Sequence, residues 1–490
     1  MHFFKRIHPS VPALIFCISI IIGDVAALIL RAKILGSFLW LVLAVVLLVV
    51  SIIISRRIAI VLAILAGLII PFYRTAPTVI AGDYYQNLVG QNITIKGKIA
   101  KDPTESSSGK YSIILSDIEI NQPLPGEIFV SLSSLKISDE LTLRRSDIVE
   151  LEGTFAEGFG SYSGSIMRPK IVSASRPTPG DIFLDFRDFF ADKIKDYIPS
   201  PENSLALGYL LGQKSGVDQT FQDVLRIVGL THIVVASGAH LGVLTSASKK
   251  IFGRLSRFAG TLAGALMTII FILITGLSAS MIRAGLVTFL SLITKYFGRE
   301  IKPQNLIIFV AAATLVFSPN YLTDLAWLLS FGSFTGILVL APKITTFFYG
   351  KTKKPNFIFS TLITSLSAAL ICTPILLYFF GQISLISIVA NLLILPTVSI
   401  AMGLSFATGL SAIILPPLAF VFGKLTTLLL DYQISVVTFF SEQKIFLIET
   451  DPNNPAVLAL YIPLVLVFLV PACYARIKTT IFANEPKNKI

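Results

Sequence analysis

The stretch SFLWLVLAVVLLVVSIII, residues 37–54, decides the fold class, because it contains no charged residue. A helix needs about 20 mostly apolar residues to cross the hydrocarbon core of a bilayer. Similar stretches lie on both sides, and RAK at 31–33 and SRR at 55–57 separate them. The sequence therefore predicts an amino-terminal membrane region at 1–72, with three spanning helices near 11–30, 37–54 and 58–71.

The first of these helices can be explained in two ways. Lys5 and Arg6 precede it and small residues follow it, as in a cleaved signal peptide. Two further apolar stretches follow at once and the first is long, which favours a retained anchor. Asp24 interrupts this helix, and we expect its side chain to face protein or the membrane interface.

The composition of the whole chain also indicates a membrane protein. Of 490 residues, 54% are apolar and 14% are charged, whereas soluble globular chains carry about 25% charged residues. A water-soluble enzyme, a disordered chain and a disulfide scaffold are therefore excluded. The cysteines Cys17, Cys372 and Cys473 form no CxxC pattern, and the four histidines have no metal-ligand spacing. We expect no metal and no cofactor.

Residues 73–180 have a different pattern. Short runs with apolar residues at every second position are separated by Pro- and Gly-containing turns, which is typical of β-strands. The predicted strands lie at 92–99, 111–115, 127–130, 148–155 and 166–172. Five strands in about a hundred residues suit an OB-like barrel, although another small β fold has the same periodicity.

This β domain contains residues suited to single-stranded DNA, since cations can follow phosphates while aromatic rings stack on bases. Against this role, residues 73–180 contain 11 basic and 12 acidic side chains, so the net charge is −1. We expect several of the aromatic residues to belong to the barrel core. The candidates for DNA contact are Lys96, Lys98, Lys101, Lys110, Arg144, Arg145, Arg168, Lys170, Tyr84, Tyr85, Tyr111 and Phe129.

Residues 181–204 connect the β domain to the rest of the chain. Apolar and charged residues alternate here at helical spacing, so one side of the helix carries Phe183, Phe186, Phe190, Ile194 and Tyr197. An amphipathic helix on the membrane surface and a helix covering the β domain explain this pattern equally well.

The remaining chain forms a second membrane region at 205–475, followed by a basic tail at 476–490. Gly, Pro and polar residues at membrane depth are tolerated where the backbone lines a cavity or packs in protein. The segments 221–248 and 384–413 contain such residues and are predicted to be broken or re-entrant helices. With the three amino-terminal helices, the predicted spans of this region bring the total to about 11–12. The spans predicted here are 221–248, 258–276, 281–297, 305–318, 321–340, 357–380, 384–413, 416–440 and 456–475.

The positive charge indicates the orientation of the chain. Lys and Arg are concentrated near 249–257, 295–302 and 343–354, whereas the loops near 277–280, 319–320 and 381–384 have none. Basic loops lie on the cytoplasmic side of membrane proteins. We therefore expect the amino terminus in the cytoplasm and residues 73–200 outside. The net charge of +12 then mainly reflects the orientation of the chain in the membrane. The side of the membrane on which the carboxyl end lies stays open.

Four ordered motifs in the second membrane region resemble those of the ComEC competence-channel family. The first runs from GYLLGQKSG at 208–216 into THIVVASGAHLG at 231–242, where Ser237, Gly238 and His240 match. The others are TGLSASMIRA at 275–284, SPNYLTDLAWLLSF at 318–331 and IVANLLILP at 388–396, which supply Ser280, Arg283, Asp324, Ser330, Asn391 and Pro396. Ala279 replaces the usual proline, and residues 326–328 depart from the usual Gly-Phe-Gln.

The resemblance implies an inner-membrane channel that moves single-stranded DNA inward during natural transformation. It implies as partners a DNA receptor, a cytoplasmic helicase-like motor and single-strand-binding proteins, in addition to membrane lipid. Many family members carry a metallo-β-lactamase-like nuclease domain, but this chain has no H-x-H-x-D-H cluster. We therefore expect no enzymatic activity here and a separately encoded nuclease.

Arg283 and the two histidines are the chemically informative residues of these motifs. An arginine at mid-membrane costs about 2.5–3.5 kcal/mol on insertion scales, so Arg283 should face a polar cavity or a carboxylate such as Asp324. His232 and His240 are about 80° apart around a continuous helix and need not share a face. We expect both, with Ser237, to line a passage.

Two other functions stay open. One is a transporter of small solutes or lipids that has kept the fold. The other is an intramembrane serine hydrolase, which would need Ser237 in contact with a base and an oxyanion site. The sequence has no G-x-S-G elbow, because Val235 occupies its first position.

Overall fold

The computed structural model describes residues 10–30, 38–53, 58–105, 109–136, 142–178, 180–213, 218–231, 237–350, 355–442 and 447–449. The predicted span at 456–475, the tail at 476–490, Cys473 and the candidate site residue His232 lie outside the described residues.

The amino-terminal region consists of three helices, α1 (Ser10–Ile29), α2 (Phe38–Ile53) and α3 (Ile58–Leu88). The predicted end of the third helix was wrong, because α3 continues 17 residues beyond position 71 and has 31 residues. Pro71 and Pro77 lie inside it. A proline removes one backbone hydrogen bond but does not oblige a packed helix to end. Residues 73–88, which we assigned to the β domain, are therefore helical.

The β domain is a small closed barrel of five main strands. They are β1 (Asn92–Ile99), β3 (Tyr111–Ile120), β5 (Ile128–Leu132), β6 (Ile148–Glu157) and β7 (Gly164–Ser175), with the short β2 (Thr104–Glu105) and β4 (Gln122–Leu124) beside β3. The neighbours run β1-β6-β7-β5-β3, and β3 pairs with β1 to close the ring. The five predicted strands are confirmed, and β5 and β7 form the parallel pair.

Side chains at every second position fill the barrel. Along β6, Val149, Leu151 and Phe155 are buried while their neighbours are more exposed. The carboxyl-terminal end of α3 packs into the barrel core, because the ring of Tyr85 stacks on that of Phe155 with centroids 5.7 Å apart. The membrane helix α3 and the barrel therefore share one core.

Two helices connect the barrel to the second membrane region, α4 (Ile182–Lys195) and α5 (Glu202–Leu211). Phe190 and Ile194 of α4 are buried, and the Phe190 ring lies 6.1 Å from that of Phe406 in the membrane region. Phe183 and Phe186 are exposed instead of sharing this buried side. Polar residues of α4 face the barrel, so this helix lies between the two parts.

The second region contains nine described helices, and the short strand β8 (Gln382–Ser384) pairs with β9 (Leu447–Glu449). Seven helices of the described chain, including α1 and α3, are long and apolar enough to cross a membrane. The chain is thus mostly helical, as in a polytopic membrane protein. The helices are α6 (Gln219–Val228), α7 (Gly238–Phe252), α8 (Arg257–Thr275), α9 (Ala279–Tyr296), α10 (Pro303–Phe317), α11 (Leu325–Tyr349), α12 (Phe357–Phe380), α13 (Ser387–Ile414) and α14 (Pro416–Ser441).

The two segments predicted to be broken differ. The break in 221–248 is confirmed, because α6 ends at Val228 and is capped by Gly229, whose φ of +77° favours glycine, while α7 begins at Gly238. The break in 384–413 was wrong, because α13 is continuous through Pro396. As in α3, the proline removes one backbone hydrogen bond but does not oblige a helix packed in protein to end.

Candidate functional site

Arg283 lies in the second turn of α9, among residues of three helices. Its Nε donates a hydrogen bond to Oγ of Ser330 on α11. The guanidinium lies 5.9 Å from the ring centroid of Phe331 and 5.4 Å from that of Phe334. Asp324 is not its partner, because this carboxylate caps α11 by accepting from the Trp327 N–H at 2.8 Å. Among the described residues, Arg283 therefore has neutral partners.

Ser280 completes this group, since its Oγ lies 3.3 Å from Oγ of Ser330. The family motifs at 275–284 and 318–331 are thus brought together by the contact of α9 with α11. Hydroxyls and aromatic faces stabilise a guanidinium without neutralising it. The charge of Arg283 stays available to a further, anionic partner.

The start of α7 lies on the other side of Arg283. A Cβ added at Gly238 would lie 3.4 Å from Nη2 of Arg283 and 3.3 Å from Cβ of Ala284. Glycine therefore lets α7 approach α9 closely here. This contact joins the first family motif to the second.

Ser237 and His240 form the cap of α7. Nδ1 of His240 accepts from the Ser237 backbone N–H at 3.0 Å and lies 2.9 Å from Ser237 Oγ. Because Nδ1 accepts from the backbone N–H, the neutral ring carries its proton on Nε2. Nε2 is buried without a hydrogen-bond partner in the described part of the chain.

The electrostatics of this meeting point favour an anion. Unsatisfied N–H groups give the amino-terminal end of a helix a partial positive charge. The first residue of α7, Gly238, lies close to the guanidinium of Arg283, so the partial positive charge of this helix end and the full charge of the arginine are near each other. A phosphate would accept from both, since guanidinium groups bind phosphate in a planar, two-point geometry.

The polar contacts continue beyond α7 through residues that sequence reasoning missed. The ring of His240 stacks on that of Tyr209 in α5, with centroids 5.6 Å apart. The Tyr209 hydroxyl donates to Gln433 Oε1 at 2.9 Å, and Gln433 Nε2 donates to Thr397 Oγ1 at 2.7 Å. Tyr209 lies in the motif at 208–216, and Gln433 is a polar amide in the mostly apolar α14. The motif and the isolated amide are the two sequence features that could have identified Tyr209 and Gln433 as candidate site residues.

We name this continuous set the polar chain. It crosses six helices, from α11 through α9, α7, α5 and α14 to α13. Its members are Ser330, Ser280, Arg283, Ser237, Gly238, His240, Tyr209, Gln433 and Thr397.

A small cavity adjoins the polar chain. Tyr209 and Gln433 line it, together with apolar residues of four helices and Leu230. Its volume of about 10 Å³ holds about one water molecule. A nucleotide would therefore require the helices to separate.

The segments at 221–248 and 384–413 also approach each other. A Cβ at Gly229 would lie 3.0 Å from Cβ of Ser387, and Leu230 and Ile394 line the same cavity. Asn391 is on this side of α13, and its Oδ1 is buried without a hydrogen-bond partner among the described residues. Pro396 is exposed and does not join the polar chain.

The barrel residues predicted to bind DNA do not form one basic face. Lys96 lies 3.9 Å from Glu119 and Lys101 lies 3.0 Å from Glu127. Burial lowers the pKa of Lys101, but the Glu127 carboxylate and its hydrogen bond outweigh this effect and raise the pKa above its ordinary value. Of the other candidates, four basic residues are exposed and two tyrosines are half-buried: Lys98, Lys110, Arg168 and Lys170, and Tyr84 and Tyr111, respectively.

Three further predicted DNA contacts are structural. Tyr85 is 1% exposed within the barrel core. Arg144 pairs with Asp185 and Asp188 of α4. Arg145 is buried and donates to the carbonyls of Leu273 and Ile274, at the end of α8. The protein itself therefore engages these three side chains, and spacing in a sequence does not indicate which cations face a carboxylate or a helix end.

These arginines belong to an ion-pair junction between the barrel, α4 and α8. Arg187 of α4, whose side chain is 5% exposed, lies 2.6 Å from Asp102 and 3.1 Å from Asp188. Burial lowers the pKa of Arg145, whereas the hydrogen bonds to Asp185 and Asp188 outweigh burial and raise that of Arg144. The junction consists of Asp102, Arg144, Arg145, Asp185, Arg187 and Asp188. The described residues include no cluster of His, Cys, Asp and Glu suited to a metal ion.

Comparison with known proteins agrees with the motifs. The family model described as Competence protein matches residues 209–473, which contain the whole polar chain. ComE operon protein 3 of Bacillus subtilis (strain 168) is 25% identical over 294 residues, covering 59% of this chain and 36% of the relative. The matched part is thus about a third of that relative's length, and no solved structure matches. The chain belongs to the ComEC competence protein family.

Proposed function

We propose that this protein is a channel that moves single-stranded DNA into the cytoplasm during natural transformation. The observation that carries the proposal is the meeting of Arg283 with the amino-terminal end of α7 at Gly238. Both groups attract anions, and the part of the chain that holds them belongs to a competence family. DNA presents a phosphate at every nucleotide.

A passage for DNA needs weak sites that each phosphate occupies and leaves. In the polar chain, the groups beyond Arg283 are neutral hydroxyl, imidazole and amide groups. These groups accept and donate hydrogen bonds without holding a phosphate tightly. Arg283 then acts as the charged entry to a neutral path.

The passage must open before DNA enters, since the cavity beside Tyr209 holds about one water molecule. Gly229 supplies a place for this movement, because it has a left-handed backbone conformation at the end of α6 and lies against Ser387 of α13. Rotation of α7 relative to α6 would separate His240 from Tyr209 of α5.

We place the barrel outside the plasma membrane of a bacterium, because the Lys- and Arg-rich loops lie on the opposite side of the spanning helices. The strand order and the parallel pairing of β5 with β7 support an OB-like barrel. Since several of the barrel's cations are paired with carboxylates, we propose that the barrel positions DNA and contacts it only weakly.

We assign no catalytic role to this chain. The sequence contains no H-x-H-x-D-H cluster. A DNA receptor, a helicase-like motor, single-strand-binding proteins and a separately encoded nuclease would act with it. No Walker A pattern occurs in the sequence, so the driving force comes from a partner or from a gradient.

The test is internalisation of labelled DNA in cells that carry Arg283→Ala at unchanged protein level. We expect internalisation to stop. Lys295→Ala is the matched control, because Lys295 is exposed at the other end of α9. Normal internalisation in Arg283→Ala cells would contradict the proposal.

A serine hydrolase is the second candidate, because Ser237 Oγ contacts His240 Nδ1 at 2.9 Å. The same Nδ1 also accepts the backbone N–H of Ser237, as in a helix cap. No carboxylate among the described residues orients Nε2. Loss of an esterase or protease activity in Ser237→Ala would support this candidate over the channel.

A transporter of small solutes or phospholipids would use the same anion site, because a headgroup carries a phosphate too. Conductance of proteoliposomes separates the two functions. A channel for DNA predicts a current stimulated by single-stranded DNA, whereas a lipid transporter predicts lipid movement without such a current.

A further inference from the structure

Asp24 is a buried acid that the polar chain does not include. It lies on α1, within the amino-terminal membrane region, and is 1% exposed. Neither carboxyl oxygen has a hydrogen-bond partner in the described structure. Ionisable residues inside membrane helices commonly serve ion or proton movement.

The packing around Asp24 is close on the side of α3. A Cβ at the neighbouring Gly23 would lie 3.0 Å from Cγ of Pro71. The same helix pair buries a second unpartnered polar atom, the Oγ1 of Thr75. The α1–α3 pair is therefore polar at its centre although no ion pair forms there.

The elements packed against α1 bring one basic side chain, Arg74 of α3, which is near enough to attract the Asp24 carboxylate. The helices α2 and α10 contain no titratable residue, and the 3₁₀ turn Pro319–Thr323 contains Tyr321. The other titratable residues on α1 and α3 are Cys17, Tyr73, Asp83, Tyr84 and Tyr85.

Arg74 is engaged elsewhere in this arrangement. Its Nε donates to the carbonyl of Val316 at 2.8 Å, and its Nη2 donates to that of Phe317 at 2.8 Å. These carbonyls lie at the end of α10, where a cation is favourable. The arginine therefore joins α3 to α10 and leaves Asp24 without a hydrogen bond.

An ionised carboxylate without a partner in an apolar interior costs several kcal/mol, whereas the neutral acid costs much less. We propose that Asp24 is a proton-binding site that couples DNA movement to the proton gradient. The acid holds its proton while α1 packs on α3 and α10. When this contact opens, the O–H bond breaks, the proton passes to entering water and Arg74 pairs with the carboxylate.

Proton binding stands on the packing alone, whereas its coupling to DNA rests on the proposed function. The first test is infrared difference spectroscopy of the full-length protein in lipid nanodiscs at neutral pH. We expect a C=O band of a protonated carboxyl group that disappears in Asp24→Asn and persists in Asp192→Asn, a change at an exposed residue. Absence of this band from the wild-type protein would overturn the proposal.

The second test is DNA uptake with and without a collapsed proton gradient. Asp24→Asn keeps the shape of the neutral acid, and its unfolding temperature checks the fold. We expect uptake to fall on collapse of the gradient in the wild type but to be equal in both conditions in the variant. A variant that responds like the wild type would overturn the coupling. If wild-type cells take up no DNA, the proposed function fails, while the infrared band still decides proton binding.

Discussion

Arg187 is buried and Arg283 is half-buried, and their partners differ. Arg187, in the ion-pair junction, lies against the carboxylates of Asp102 and Asp188. Arg283, in the polar chain, has a serine hydroxyl and two phenylalanine rings. Arg187 is thus neutralised within the protein, whereas Arg283 has neutral partners among the described residues.

The largest effect is expected at the junction. Arg187→Met leaves the Asp102 carboxylate half-buried without its cation, and breaking a buried pair costs about 3–5 kcal/mol. Thermal unfolding of the purified protein measures this loss. Lys96→Met is the control, because Lys96 and Glu119 lie 3.9 Å apart and both side chains are more than half exposed. Equal destabilisation by both changes would contradict a structural role for Arg187.

The second effect is at Arg283. Arg283→Met removes an unneutralised charge, so the unfolding temperature should not fall. Binding of a fluorescent single-stranded oligonucleotide should weaken about 10- to 100-fold, since hydrogen bonds to charged groups contribute about 1.5–3 kcal/mol. Fluorescence anisotropy measures the affinity. Strong destabilisation with unchanged binding would make Arg283 a structural residue like Arg187.

A smaller effect is expected further along the polar chain. Gln433→Leu leaves the buried Tyr209 hydroxyl without its acceptor, which costs about 1–3 kcal/mol. Tyr209→Phe combined with Gln433→Leu should recover most of that loss, because both polar groups are then removed. Unfolding of Gln433→Leu, of Tyr209→Phe and of the double variant gives the coupling energy between the two side chains. Additive losses would show that the two side chains do not interact.

The smallest effect is expected on the barrel surface, at Lys101 and Glu127. The pKa of Lys101 is raised in the folded protein, so the pair stabilises the fold below about pH 10.5, the ordinary lysine value, and loses this contribution at higher pH. Both side chains are more than a third exposed, which limits the effect to less than about 1 kcal/mol. Unfolding of Lys101→Met and of the wild type should converge as pH rises. A constant difference would contradict the ion pair.

The sequence predicted those elements whose residues alternate or repeat regularly. The strands β1, β3, β5, β6 and β7 and the helix α12 lie at their expected positions, because apolar periodicity reflects one buried face. The end of α3 was missed, since hydropathy falls at Pro71 while helical packing into the barrel continues. The continuity of α13 was missed because a proline in a sequence does not by itself show that a packed helix ends there.

The candidate site was predicted in part. The family motifs supplied Ser237, Gly238, His240, Ser280, Arg283 and Ser330, and the structure brings them together in one polar chain. Tyr209, Gln433 and Thr397 were missed because their contacts join positions up to 224 residues apart. Pairing across such separations depends on tertiary packing, which a single sequence does not contain.

The length of α3 has a mechanical consequence. Its 31 residues form a rod of about 46 Å at 1.5 Å per residue, with Tyr85 fixed in the barrel at one end and Gly67 against α1 in the third turn. A tilt of about 5° at the membrane end would displace the far end by about 4 Å. Small rearrangements beside Asp24 would therefore reach the barrel as movements of atomic size, without a separate linker.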